Sequence, residues 1–322
     1  MSETTNVPEF TKLIDLASEK LGGKALSCSD DFFAEMDNLV KPGRGIFSED
    51  KYTDRGKWMD GWESRRKRTP GHDWCIIKLG ASGVIKGFDV DTNHFLGNHP
   101  PHCSIEACYS DSNQLEGVKW VEILPKSPLN PGSQHFFEIT NDQVWSHLRL
   151  NIYPDGGVAR LKVYGTVNKN WEAVDKNELV DLAAALNGAK SIECNDMFFS
   201  HMDNLLMPGR GVNMGDGWET KRNRTPNNVD WVIINLAKKG SIKKITVDTC
   251  HFKGNYPDSC MIEGRLKTSD SWTTILPQTK LEADKEHFFE NEVVSDGPFT
   301  QVKLSIFPDG GISRLRLWGN VE

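Results

Sequence analysis

The 322-residue chain has no run of about 20 apolar residues, the length that spans a bilayer, so a membrane-crossing helix is not expected. It also lacks the basic-then-apolar start of a secretory signal, because residues 1–10 are polar. There is no surplus of positive charge. With 38 Lys+Arg against 45 Asp+Glu, the net charge of -7 offers no general attraction to nucleic acid. The seven cysteines are odd in number and none forms a CxxC pair. Cys28, Cys194, Cys103 and Cys260 lie among apolar neighbours, which reads as buried thiols of a cytoplasmic protein. A GxSxG elbow and a phosphate-cradling glycine loop are missing as well, which removes the common signatures of nucleophilic and nucleotide chemistry. What remains is a small-molecule partner, without nucleic acid or membrane.

What the chain does have, it has twice. Asp60-Gly61-Trp62-Glu63 leads through Arg65, Arg66, Arg68, Thr69 and Pro70 to Asp73-Trp74. Asp216-Gly217-Trp218-Glu219 leads through Lys221, Arg222, Arg224, Thr225 and Pro226 to Asp230-Trp231. The match continues through Met36-Asp37-Asn38-Leu39 and Met202-Asp203-Asn204-Leu205, then Pro42-Gly43-Arg44-Gly45 and Pro208-Gly209-Arg210-Gly211. Asp91-Thr92, His94-Phe95 and Gly97-Asn98 return as Asp248-Thr249, His251-Phe252 and Gly254-Asn255. Ile105-Glu106 returns as Ile262-Glu263, His135-Phe136-Phe137-Glu138 as His287-Phe288-Phe289-Glu290, and Pro154-Asp155-Gly156-Gly157 as Pro308-Asp309-Gly310-Gly311. Two copies do not make a solenoid. They give two domains, residues 12–167 and 180–322, joined by a polar linker at 168–179. Copy one alone carries a polar insertion around residues 47–57.

Period-two alternation dominates both copies, as in Leu148-Arg149-Leu150-Asn151-Ile152 and Val302-Lys303-Leu304-Ser305-Ile306. Such runs are half-buried strands. The nearly continuous apolar stretches 74–79 and 231–236 suit central strands covered on both faces. Short helical pieces are expected only near residues 12–20 and 177–186. The Pro-Asp-Gly-Gly tetrads reverse the chain between strands. Many short strands without an alternating βα pattern give an all-β antiparallel sandwich in each copy.

Duplication that spares charge as well as apolarity points to a site or to a fixed ion-pair network, because an unpaired buried charge costs several kcal/mol. Three cations within four residues suit a small anionic ligand, since guanidinium binds carboxylate through a planar fork. Equally, Arg66 and Arg68 could pair with Asp60, Glu63 or Asp73, and Trp62 and Trp74 could simply anchor the loop. Asp91, three residues before His94, could orient that imidazole for proton transfer, as Asp248 could for His251. The other reading makes each histidine a cap on its loop. Glu106 and Glu263 follow on the next strand, facing either solvent or the site. A metal held by His94, His99, His102 and Cys103 is disfavoured, because the spacing is irregular and copy two has Tyr256 and Ser259 at two of those places.

The DGWE-x-RR/KR block, the DT-x-HF-x-GN block and the Pro-Asp-Gly-Gly turn, each present twice and in this order, resemble the allantoicase family of allantoate amidinohydrolases. The resemblance implies two tandem jelly-roll β-sandwiches of the galactose-binding-like type, a homo-oligomer, and hydrolysis of allantoate to ureidoglycolate and urea. It supplies no residue roles. Breaking a carbon–nitrogen bond needs an acid, a base and cations for the carboxylate, and it needs no cofactor. Asp91, His94, Glu106, Asp248, His251 and Glu263 are the catalytic candidates. Glu63, Arg66, Arg68, Asn98, Glu219, Arg222, Arg224 and Asn255 are the substrate-binding candidates. The competing classes are a non-catalytic carbohydrate-binding sandwich and a purely structural scaffold.

Overall fold

A computed structural model describes residues 7–322. The chain divides into two compact units between Asn168 and Lys169. Strands and short 3₁₀ turns make up both units, with no α-helix among the described residues. Where helical pieces are expected, the chain instead makes 3₁₀ turns at Glu9–Lys12, Glu19–Leu21 and Ala185–Asn187. Gly22 and Gly188 stop two of them in the left-handed region, a conformation that glycine adopts without a Cβ penalty.

Each unit is organised around one strand of 19 residues, Asp73–Asp91 in the first and Asp230–Asp248 in the second. Strands seldom exceed about 10 residues, and this one does so by serving two layers. Its first half lies between Val144–Tyr153 and Lys24–Cys28. Its second half lies between Arg160–Val167 and Gln134–Glu138. His102–Cys108 and Val121–Pro128 extend the first layer beyond Val144–Tyr153, and Ile14–Asp15 extends the second beyond Arg160–Val167. All pairings are antiparallel. Pro125 and Pro128 sit in the outermost strand, where a missing N–H breaks no ladder. Unit two repeats this order strand for strand, with Pro277 in its outermost strand.

Alternation places Cys75, Ile77, Leu148, Leu150 and Ile152 in the core with Ile85, Phe88, Val90, Leu161 and Val163 from the other layer, all at 1% exposure or less. Burying each large side chain contributes about 1.5–3 kcal/mol. Residues 74–79 are central, as expected, but not covered on both faces: Trp74, Ile76 and Lys78 remain partly exposed on the outer side. Part of the linker packs back on unit two, where Asn320 Nδ2 donates to the carbonyls of Lys176 and Glu178.

Candidate active site

One phenylalanine gathers the duplicated motifs at a single end of each sandwich. Phe95 is fully buried. A Cβ on Gly61 would lie 2.6 Å from its ring, and one on Gly157 2.0 Å away. Only glycine allows the ring to lie against both backbones. Phe252 does the same between Gly217 and Gly311. The two glycine-bearing segments are then hydrogen-bonded as a small ladder, Trp62–Glu63 with Gly157–Val158 and Trp218–Glu219 with Gly311–Ile312. Gly157 N–H donates to the Asn98 carbonyl at 2.8 Å, and Gly311 N–H to that of Asn255 at 2.9 Å. DGWE, HF-x-GN and PDGG are therefore one structural unit.

Trp62 and Trp218 are anchors: both are fully buried, and each indole N–H donates to the carbonyl of Asp30 or Asp196. Asp60 and Asp216 are tied down as well, by Arg160 and Arg314 at 2.8 Å. Burial alone would raise the Asp60 carboxyl, but the Arg160 hydrogen bond and the Ile46 amide hold it below its ordinary value.

Glu63 is brought to Asn98, whose Nδ2 donates to Oε1 at 2.7 Å, and Glu219 is brought to Asn255 in the same way. Burial pushes the Glu63 carboxyl above its ordinary value, against the Asn98 hydrogen bond. The arginine loop alternates. Arg65 N–H and Lys67 N–H donate to Asp30 and Asp155, and the two side chains pair with Asp30 and Asp73. The intervening Arg66 and Arg68 are exposed and form no ion pair among the described residues. In unit two, Lys221 N–H and Asn223 N–H donate to Asp196 and Asp309, and Arg222 and Arg224 are likewise exposed without an ion-pair partner. A cavity of about 750 Å³ there is lined by Glu219, Arg222, Arg224, Asn255, Tyr256 and Phe199, among others. All four substrate-binding candidates of that repeat meet in it.

The catalytic candidates lie elsewhere. Asp91 does not orient His94: it is fully buried and grips Arg44 through two bonds of 2.7 and 2.8 Å. Asp248 grips Arg210 at 3.0 and 3.1 Å. His94 stacks on Phe47 of the insertion at 5.5 Å, and His251 Nε2 donates to the Gly211 carbonyl at 2.8 Å. Both histidines hold left-handed backbone, φ 67 and 71. Glu106 faces the outer surface of the first layer, paired with Arg149 at 2.6 Å and bonded by Asn151. Glu263 pairs with Lys303 at 2.6 Å. Neither Asp248, His251 nor Glu263 lines the cavity beside Glu219. Among the described residues, His94, His99, His102 and Cys103 do not gather as metal ligands, and burial pushes the Cys103 thiol up to about 12.

Sequence reasoning passed over Asp155 and Asp309, which fix the arginine loop from the Pro-Asp-Gly-Gly turn. The signal was the aspartate itself, duplicated inside a turn that needs only proline and glycine.

The fold and the site define a duplicated antiparallel β-sandwich protein, with a carboxyl–amide pair beside exposed guanidiniums at the same loops of each copy. The family model described as the allantoicase repeat matches residues 14–168 and 180–322. The chain belongs to the allantoicase family. It is similar to the probable allantoicase of Pseudomonas savastanoi pv. phaseolicola, 51% identical over 97% of this chain and 98% of that one. It is 52% identical to a probable allantoicase of Pseudomonas fluorescens over 99% of both chains. The crystal structure of allantoicase from Saccharomyces cerevisiae matches with a TM-score of 0.84 and 41% identity, covering 96% of this chain and 93% of that one.

Proposed function

We propose that this chain hydrolyses allantoate to ureidoglycolate and urea, the activity for which its family is named, at the loops that carry the unpaired arginines. Allantoate is a carboxylate with two ureido arms on one carbon. Arg222 and Arg224 offer two guanidinium forks for its carboxylate, and Asn255 offers an amide to a ureido arm. Glu219, held by Asn255, is a carboxylate in the same cavity as these cations and serves as the proton-moving group. As base it takes a proton from water, whose oxygen bonds to the central carbon. The carbon–nitrogen bond breaks, and the nitrogen takes a proton to leave as neutral urea. Glu63, Arg66, Arg68 and Asn98 repeat the set in unit one. The observation that carries this reading is that four arginines lack the ion-pair partners that their neighbours Arg65 and Lys67 have. The seven cysteines are all free thiols, which supports a reducing, cytoplasmic setting.

Turnover of allantoate in oxygen-18 water tests the reaction. The label is expected on the ureidoglycolate hydroxyl, with unlabelled urea as the co-product. Ammonia as the first nitrogen product would place the attack on the ureido carbonyl, and an unlabelled ureidoglycolate hydroxyl would exclude attack by water at the central carbon; either overturns the proposal.

A further inference from the structure

We propose that Cys250, His251 and Asp284 form a zinc site in the second repeat, with the Cys250 thiolate, His251 Nδ1 and an Asp284 carboxylate oxygen as ligands. One ligand atom from each of the three residues lies within 4.8 Å of the others. A tetrahedral ion with bonds of about 2.0–2.3 Å needs them about 3.3–3.7 Å apart. Rotation of the exposed Asp284 side chain covers the difference of roughly 1 Å.

The imidazole is already set for the task. His251 Nε2 lies 2.8 Å from the Gly211 carbonyl. A carbonyl only accepts, so Nε2 carries the proton and Nδ1 keeps its lone pair. Zinc-binding histidines characteristically have their second nitrogen fixed by a carbonyl or carboxylate in this way. The backbone N–H of His251 donates to Asp284 Oδ1 at 2.7 Å, which holds the carboxylate beside the ring. Arg210, the nearest guanidinium, is neutralised by Asp248 and also lies 3.9 Å from Glu286. Lys253 contributes only an exposed ammonium 3.8 Å from Asp284.

The first repeat shows what the same fold does without this set. Asn93 stands in the place of Cys250, and Gly132 in that of Asp284. Asn93 Nδ2 donates to the Gly45 carbonyl at 2.8 Å, the counterpart of the carbonyl that His251 engages. Gly132 and Asp284 share left-handed backbone, φ 60 and 52. Unit two therefore keeps a carboxylate where glycine is the relaxed choice, next to a thiol where an amide already served. A soft thiolate with an imidazole and one carboxylate selects zinc over magnesium or calcium. Binding releases the thiol proton to solvent. Water completes the coordination, and the ion clips the turn that carries Asn255 to the loop before Glu286.

The test uses the full-length chain, reduced and stripped with chelator, titrated with Zn²⁺ by calorimetry and with Co²⁺ by absorption. Expected are one zinc per chain, a raised melting temperature, and a thiolate-to-cobalt charge-transfer band. The double variant Cys250→Asn/Asp284→Gly carries the first repeat's residues at both positions, and it should stay folded and lose all three signals. It keeps Cys28 and Cys194, the two thiols outside the buried set, so it also reports binding at other thiols. Asp284→Asn, nearly isosteric, should weaken zinc binding with an unchanged circular dichroism spectrum. Undiminished zinc stoichiometry and cobalt band in the double variant, zinc affinity unaltered by Asp284→Asn, or equal binding of Ca²⁺ and Zn²⁺ by the wild type, would each overturn the site.

Discussion

Asp89 has no counterpart in the second repeat, where Thr246 takes its place on the long strand. It is fully buried, with one oxygen bonded by Gln134 at 2.7 Å and the other without a partner. Burial pushes its carboxyl up to about 6 from 3.8. The folded protein thus holds this proton at pH values where the unfolded chain has released it. Stability must fall as pH rises from about 4 to about 6, and the deficit persists at neutral pH. The shift corresponds to roughly 2–3 kcal/mol. Asp89→Thr should therefore raise the melting temperature at pH 7.5, and the gain should shrink to nothing near pH 4. Chemical denaturation of both proteins at the two pH values checks it. A gain independent of pH would show that packing, not ionisation, is responsible.

At the scale of elements, the phenylalanine between two glycines is the feature on which the site rests. Phe252→Ala removes the ring that Gly217 and Gly311 enclose, so about 3–5 kcal/mol of stability should be lost. The loops carrying Glu219 and Asn255 would be released together. Thermal denaturation and turnover measured on one preparation should show both losses; full activity with lowered stability would separate the ring from the site. Strands were legible here because alternation reports a one-sided core directly, as in Leu148-Leu150-Ile152. The layer crossing within Asp73–Asp91 was not, since nothing in the pattern records which neighbours a strand exchanges halfway along. Site residues divided in the same way. Glu63 and Asn98 meet at the loops that carry the exposed arginines, as grouping them by their duplication expects. Asp91 and His94 misled because proximity in sequence stood in for orientation, whereas a strand end and a left-handed turn point them to different partners. Spared polarity was no guide by itself: His135 and His287 recur only to bond the Asn130 and Glu282 amides and the carbonyls of Val90 and Val247.

For the whole molecule, duplication raises the question of whether both copies work. Replacing Arg222 and Arg224 by lysine keeps the charge but loses the forks, each worth about 1.5–3 kcal/mol against a charged partner. In a repeat that turns over substrate, kcat/KM should fall at least 10-fold, roughly, with the melting temperature unchanged. Arg66→Lys/Arg68→Lys makes the matching change in unit one, and the two variants measured side by side assign turnover to one repeat or to both. If neither pair alters kinetics, the arginines are a solvated face. The 19-residue strand shared by two layers bears on how each unit comes to exist at all. Its first half is hydrogen-bonded into one layer and its second half into the other, so neither layer is complete until the same segment is in place. Assembly of each repeat is accordingly a single cooperative event dominated by distant contacts, slow by the measure of contact order. Amide protons along Asp73–Asp91 and Asp230–Asp248 should exchange only when a whole unit opens.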